Sequence, residues 1–148
     1  MVSKLRILIA YLSYSGNTEE VASYIGEFLN KEGVTVEWHR IGIDVLKDPA
    51  YYDLVFLGTF TWDRGSTPDE VKDFVLEVGY KPGNMVIFGT GDTQFGGDDL
   101  FCRAADKLAR FYESSFPVLK VEQSPRGSQE NKIEQWLEGV LDNAKSYA

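Results

Sequence analysis

Residues 5–11 form an apolar run ending in Ile-Leu-Ile-Ala-Tyr, too hydrophobic for a strand with one wet face and suited to one buried on both. Residues 17–30 follow with apolar side chains at Val21, Tyr24, Ile25, Phe28 and Leu29, the 3, 4 spacing of an amphipathic helix, and Gly33 closes it. The same alternation continues. Residues 34–38 and 52–57 predict strands, and a helix starts near Pro68 with Val71, Phe74 and Val75 inward. Residues 85–88 predict the fourth strand. Asp98 or Asp99 is placed to cap a helix carrying Leu100, Phe101, Ala104, Leu108 and Phe111, residues 116–121 predict a fifth strand, and residues 133–141 a final helix. Strand and helix alternating five times predict an α/β domain, a parallel sheet covered on both faces by right-handed crossovers. Residues 41–51, with Lys47, Asp48 and Pro49, read as a short helix or a loop.

The 148 residues suit one domain, residues 1–148, with no repeat or linker. No apolar run approaches the roughly 18–20 residues of a membrane span, and residues 7–12 are too short for a signal peptide, so a cytoplasmic protein is expected. One cysteine, Cys102, excludes an internal disulfide, and one histidine, His39, leaves no metal cluster to expect. A net charge of −8 disfavours nucleic acid and anionic membranes; it suits a basic docking surface, or merely solubility.

Open parallel sheets bind ligands at the carboxyl ends of their strands, which directs attention to the loops after strands one, three and four. The first is Ser13-Tyr14-Ser15-Gly16-Asn17-Thr18. It opens a helix whose first N–H groups lack partners and whose dipole favours an anion, with Ser13, Ser15 and Thr18 able to donate further bonds and Gly16 allowing close approach. An ordinary helix start capped by Ser15 or Asn17 would need one such residue, not five. No Lys or Arg lies within residues 7–30, and the dinucleotide glycine fingerprint is missing, so the loop predicts a cradle for one terminal phosphate rather than a nucleoside triphosphate site.

After strand three comes Thr59-Phe60-Thr61-Trp62-Asp63-Arg64-Gly65, and after strand four Thr90-Gly91-Asp92-Thr93-Gln94-Phe95-Gly96-Gly97. Trp62 or Phe95 alone reads equally well as a core residue folded back. Together, beside a phosphate cradle, they can sandwich a planar ring.

On these loops the chain resembles the flavodoxins, in the short form without an insertion in the last strand, from strand one through the final helix. The flavodoxin-like doubly wound five-stranded sheet of order 2-1-3-4-5 comes with that resemblance. So does the cofactor, flavin mononucleotide (FMN). The resemblance implies that Ser13, Tyr14, Ser15, Gly16, Asn17 and Thr18 hold the phosphate, that Thr59 and Thr61 lie near the ribityl chain, and that Trp62 and Phe95 cover the two faces of the ring. Main-chain groups of Asp63, Arg64, Asp92, Leu100 and Cys102 would read its edges; Phe60, Gly65, Thr90 and Gly91 complete the two loops. Cys102 as a thiol is expected to be inert on a helix beside Phe101 and Ala105.

The sequence departs from the family pattern at three points. Phe95 replaces a common tyrosine, the loop near Gly96-Gly97-Asp98 is about three residues longer, and Asp63 follows the tryptophan where a glycine often turns its peptide toward the one-electron-reduced flavin. Aspartate takes φ > 0 at some cost, so this turn is expected to stabilise that state less.

The resemblance implies a low-potential one-electron carrier rather than an enzyme. Carboxylates at Asp63, Asp92, Asp98 and Asp99 would oppose a second negative charge on the flavin, with Arg64 working against them. A flavodoxin/ferredoxin-NADP reductase is the implied donor, and a cytochrome P450, a nitric oxide synthase or a ribonucleotide reductase activator the acceptor, with the carrier a monomer. The rival within the fold is the flavodoxin-like activator of class Ib ribonucleotide reductase, which reacts with dioxygen; Phe95-Gly96 and Ala105-Asp106 look similar to it, whereas Trp62 does not. A phosphoacceptor receiver domain would need acidic residues where Ser13 and Thr59 stand. A flavin enzyme with its own substrate would need an acid, base or nucleophile beyond the flavin loops, and His39, closing strand two, is expected at the surface.

Overall fold

In the computed structural model, which describes residues 5–13, 16–60, 67–91, 102–122 and 128–147, five parallel strands stand in the order β2-β1-β3-β4-β5. The strands are β1 (Arg6–Tyr11), β2 (Thr35–Arg40), β3 (Leu54–Phe60), β4 (Met85–Gly91) and β5 (Leu119–Glu122). Among the described residues the α-helices are α1 (Asn17–Lys31), α2 (Asp69–Val78), α3 (Arg103–Tyr112) and α4 (Ser128–Tyr147).

Period-two alternation sorts the core into two layers. Ile7, Ile9, Phe56, Val86 and Phe88 face α1 and α4, meeting Val21, Ile25, Leu29, Ile133 and Leu137. Leu8, Ala10, Val55, Leu57 and Ile87 face α2 and α3, meeting Val71, Phe74, Ala105 and Leu108. Each fully buried Leu, Ile or Phe contributes about 1.5–3 kcal/mol relative to exposure. Two glycines permit the packing: a Cβ on Gly58 would overlap the Phe88 ring, and one on Gly89 would stand 2.7 Å from the Ala105 Cβ of α3.

The structure decides between the two readings of residues 41–51 and corrects the sequence expectations at three other places. Residues 41–51 hold no α-helix, only a turn and the 3-10 segment Pro49–Tyr51, which starts where Asp48 Oδ1 accepts the Ala50 N–H at 3.0 Å. Among the described residues the sheet therefore carries four α-helices. β2 runs on to Arg40, and His39 is 3% exposed rather than at the surface, because its ring turns inward onto Phe74 at 5.5 Å. α3 begins at Arg103, with Cys102 at its N-cap in the left-handed conformation (φ 54°), so Cys102 precedes the helix; Asp98 and Asp99, the expected caps, lie outside the described residues. Its buried stripe is Ala104, Ala105, Leu108 and Tyr112, while Phe111 is 42% exposed beneath the Lys81 ammonium at 4.4 Å.

Among the described residues no helix is long and apolar enough to cross a membrane.

Candidate functional site

The strand order reverses between β1 and β3, and their carboxyl ends lie side by side there: the Leu12 N–H donates to the Gly58 C=O at 3.1 Å. β4 follows next to β3, pairing Phe60 with Thr90. The chain segments after β1, β3 and β4 therefore leave the sheet at one edge.

At that edge α1 begins on Gly16, whose φ of +95° and ψ of −12° bend the chain into the helix. Glycine takes this conformation freely. The N-cap is Gly16, which has no side chain to cap with; Ser15, the other expected cap, lies outside the described residues. Ser13 Oγ accepts the Gly16 N–H at 3.0 Å and holds the turn shut from behind. A Cβ added to Gly16 would meet nothing within 4 Å among the described residues, so they leave the space at this turn open. The result is an uncapped helix N-terminus with a hydroxyl beside it and room above it, the arrangement that accepts an anion.

Thr18, the second residue of the helix, is enclosed, and its Oγ1 lies 2.9 Å from Thr90 Oγ1. The expectation of a free Thr18 hydroxyl is thus altered: this hydroxyl ties the start of α1 to the end of β4. Nothing in the sequence signalled the pair, because β3 separates β1 from β4 and only α1 lying across all three brings them together.

Thr59 is also fully enclosed, its Oγ1 donating to the Phe60 C=O at 3.0 Å. Phe60, Gly91, Asn17 and Ser13 are half-buried at the same edge. Cys102 is 1% exposed beneath β4, and burial pushes its thiol up to about 12, in keeping with an inert side chain. Tyr14, Ser15, Thr61, Trp62, Asp63, Arg64, Gly65, Asp92, Phe95 and Leu100 lie outside the described residues.

An uncapped helix start at the switch point of a 2-1-3-4-5 sheet is shared by many nucleotide-binding domains. The family model described as Flavodoxin matches residues 9–136. The chain belongs to the flavodoxin family. "Probable flavodoxin 2" of Bacillus subtilis is 34% identical over 137 residues, covering 86% of this chain and 89% of that protein. The flavodoxin of Maridesulfovibrio salexigens is 30% identical over 148 residues, covering 91% and 96%. Among solved structures, a short-chain flavodoxin associated with a non-canonical PDU bacterial microcompartment superposes with a TM-score of 0.84, covering 95% of this chain and 99% of that one; at 22% identity it bears on the fold alone.

As a flavodoxin the chain is an electron carrier and its cofactor is FMN. The described edge fits that group. Ser13, Gly16, Asn17 and Thr18 are uncharged and suit a terminal phosphate, with Glu19 and Glu20 following in the first turn, and the cradle lies where a strand-order reversal opens a crevice between loops.

The sequence reading missed a second concavity, between residues 41–44 and α2, lined by His39, Asp44, Glu70, Asp73 and Glu77 among others. Its acidic members come from separate segments, and nothing in their spacing places them together.

Proposed function

We propose that this flavodoxin, as a single domain in the cytoplasm, holds FMN with its phosphate over the start of α1 and exchanges electrons with a reductase and an acceptor redox protein without a substrate of its own. FMN, when bound, takes and gives electrons one at a time. The supporting observation is the Gly16 turn: left-handed, uncapped, open above, and flanked by Ser13.

In this reading Ser13, Tyr14, Ser15, Gly16 and Asn17 surround the phosphate, and Thr18 adds its backbone N–H. A hydroxyl has one donor and two acceptor positions. The Thr18 hydroxyl, enclosed and 2.9 Å from Thr90 Oγ1, fixes the start of α1 beneath the phosphate; either atom of the pair can be the donor. Thr59 and Thr61 lie toward the ribityl chain, Trp62 and Phe95 exclude water from the two ring faces, and main-chain groups of Asp63, Arg64, Asp92, Leu100 and Cys102 face its edges. The net charge of −8 supports basic docking surfaces on a flavodoxin/ferredoxin-NADP reductase and on an acceptor such as a cytochrome P450, a nitric oxide synthase or a ribonucleotide reductase activator.

The test is to compare FMN with riboflavin, which lacks the phosphate, by titrating the flavin-free protein. Several charge-assisted hydrogen bonds, each worth about 1.5–3 kcal/mol, predict riboflavin binding at least about 100-fold weaker. The Ser13→Ala variant should narrow that gap. Equal affinity for the two flavins would remove the phosphate from residues 13–18.

A further inference from the structure

Residues 41–48 leave the end of β2 and run along α2 as a strap. Gly42 lies against Glu70 near the start of the helix, and Asp48 Oδ1 accepts the hydroxyl of Tyr80, just past its end, at 2.6 Å. Between strap and helix is a cavity of about 200 Å³.

The cavity's charge has one sign. Asp44, Glu70, Asp73 and Glu77 line it, and no Lys or Arg does. Arg40 pairs with Asp44 at 3.0 Å, whereas Asp73 and Glu77 form no ion pair among the described residues.

An independent observation comes from His39, which also lines the cavity. It is 3% exposed, and its Nδ1 has no hydrogen-bond partner. A buried polar atom is seldom left without a partner, so this one points to a missing donor. The imidazole pKa is lowered, by burial first and by Lys47 next, against the opposing pull of Asp44, Glu77 and a Val45 backbone bond, so the ring is neutral and offers a lone pair. The donor is not a metal ion: no group of three His, Cys, Asp or Glu among the described residues is arranged to hold one.

The third observation is apolar. Ile43 is 71% exposed at the cavity wall, and Val45 on the same strap is 88% exposed. Large aliphatic side chains this open beside a carboxylate-lined cavity suit a ligand that is aliphatic along its length and cationic at its tip. Lysine has that form, with three rotatable donors on a compact head, whereas the planar fork of arginine matches a single bidentate carboxylate better.

We propose that the cavity between residues 41–44 and α2 receives a lysine side chain of a basic partner protein, its stem on Ile43 and its ammonium among Asp73, Glu77 and His39. The inference deepens the carrier reading and rests on it only for the partner being a redox protein.

The test is an NMR titration of the FMN-loaded protein with a dodecapeptide of Lys-Ser-Leu repeats, and with the same peptide carrying acetylated lysines. The lysine peptide should move the amides of residues 41–48 and 70–77 and lower the His39 titration midpoint further, while the acetylated peptide should not. Asp73→Asn combined with Glu77→Gln should weaken binding about tenfold, as for partly desolvated charge pairs. Unchanged binding by that variant, a silent His39, or shifts gathered instead on Glu19, Glu20 and Glu27 of α1 would overturn the proposal. Flavin absorbance recorded on the same samples separates the two ideas: FMN bound with His39 silent removes the cavity alone, and failure to bind FMN removes the carrier reading while the peptide shifts still decide the cavity.

Discussion

Thr18 and Thr90 hold their hydroxyls 2.9 Å apart in the interior, joining the first turn of α1 to the last residues of β4 across the end of β3. Both side chains are at most 2% exposed, so neither can turn to water. Removing one hydroxyl leaves the other stranded, which costs about 1–3 kcal/mol; replacing both by apolar groups of the same shape is nearly neutral. Thr18→Val and Thr90→Val should each lower urea stability by that amount, and the double variant should recover most of the loss. Additive losses would show that the two hydroxyls act separately.

Gly16 and Gly58 are glycines for different physical reasons, and alanine should separate them. At Gly16 the space is open and the cost is the left-handed backbone, about 1–2 kcal/mol. At Gly58 the new methyl would overlap the Phe88 ring, an overpacking cost of about 1–3 kcal/mol or more. Denaturant unfolding of Gly58→Ala with and without Phe88→Leu should show rescue by the smaller partner, whereas no second-site change of volume should rescue Gly16→Ala.

His39 gives the protein a specific acid sensitivity. Its folded pKa lies below that of the unfolded imidazole, about 6.5, so its contribution to stability is fully present above that value. As the pH falls through 6.5 toward the lower folded value, the unfolded chain takes the proton first and stability is lost. In urea melts between pH 7.5 and pH 5, His39→Leu should flatten the decline. An unchanged pH slope would place the sensitivity elsewhere.

The period of the apolar residues carried the fold: Leu8 and Ala10 on one face, Ile7 and Ile9 on the other, and the helices between strands all follow from it. Positions fixed by tertiary contact were less legible. His39 reads as a surface residue at a strand end, yet the strand continues to Arg40 and the ring meets Phe74. Phe111 and Tyr112 are neighbours on α3, and only the way the helix lies on the sheet decides that Tyr112 goes inward. Cys102 was read inside a helix because its apolar neighbours keep helical spacing; its left-handed φ comes from how the chain enters α3. At the candidate site, Ser13 and Gly16 were legible because a loop of small polar residues before a helix has few other uses. The Thr18–Thr90 bond was not, since it joins the start of α1 to β4, a strand that does not neighbour β1.

The most direct test of the central claim is to strip the purified protein of flavin, titrate it with FMN while following flavin fluorescence, and then reduce the complex stepwise without oxygen. Enclosure between aromatic faces predicts quenching that saturates at one FMN per chain, followed by reduction in two one-electron stages. A protein that leaves FMN fluorescent and free, or whose bound flavin is reduced only in a single two-electron stage, would contradict the account of a one-electron carrier.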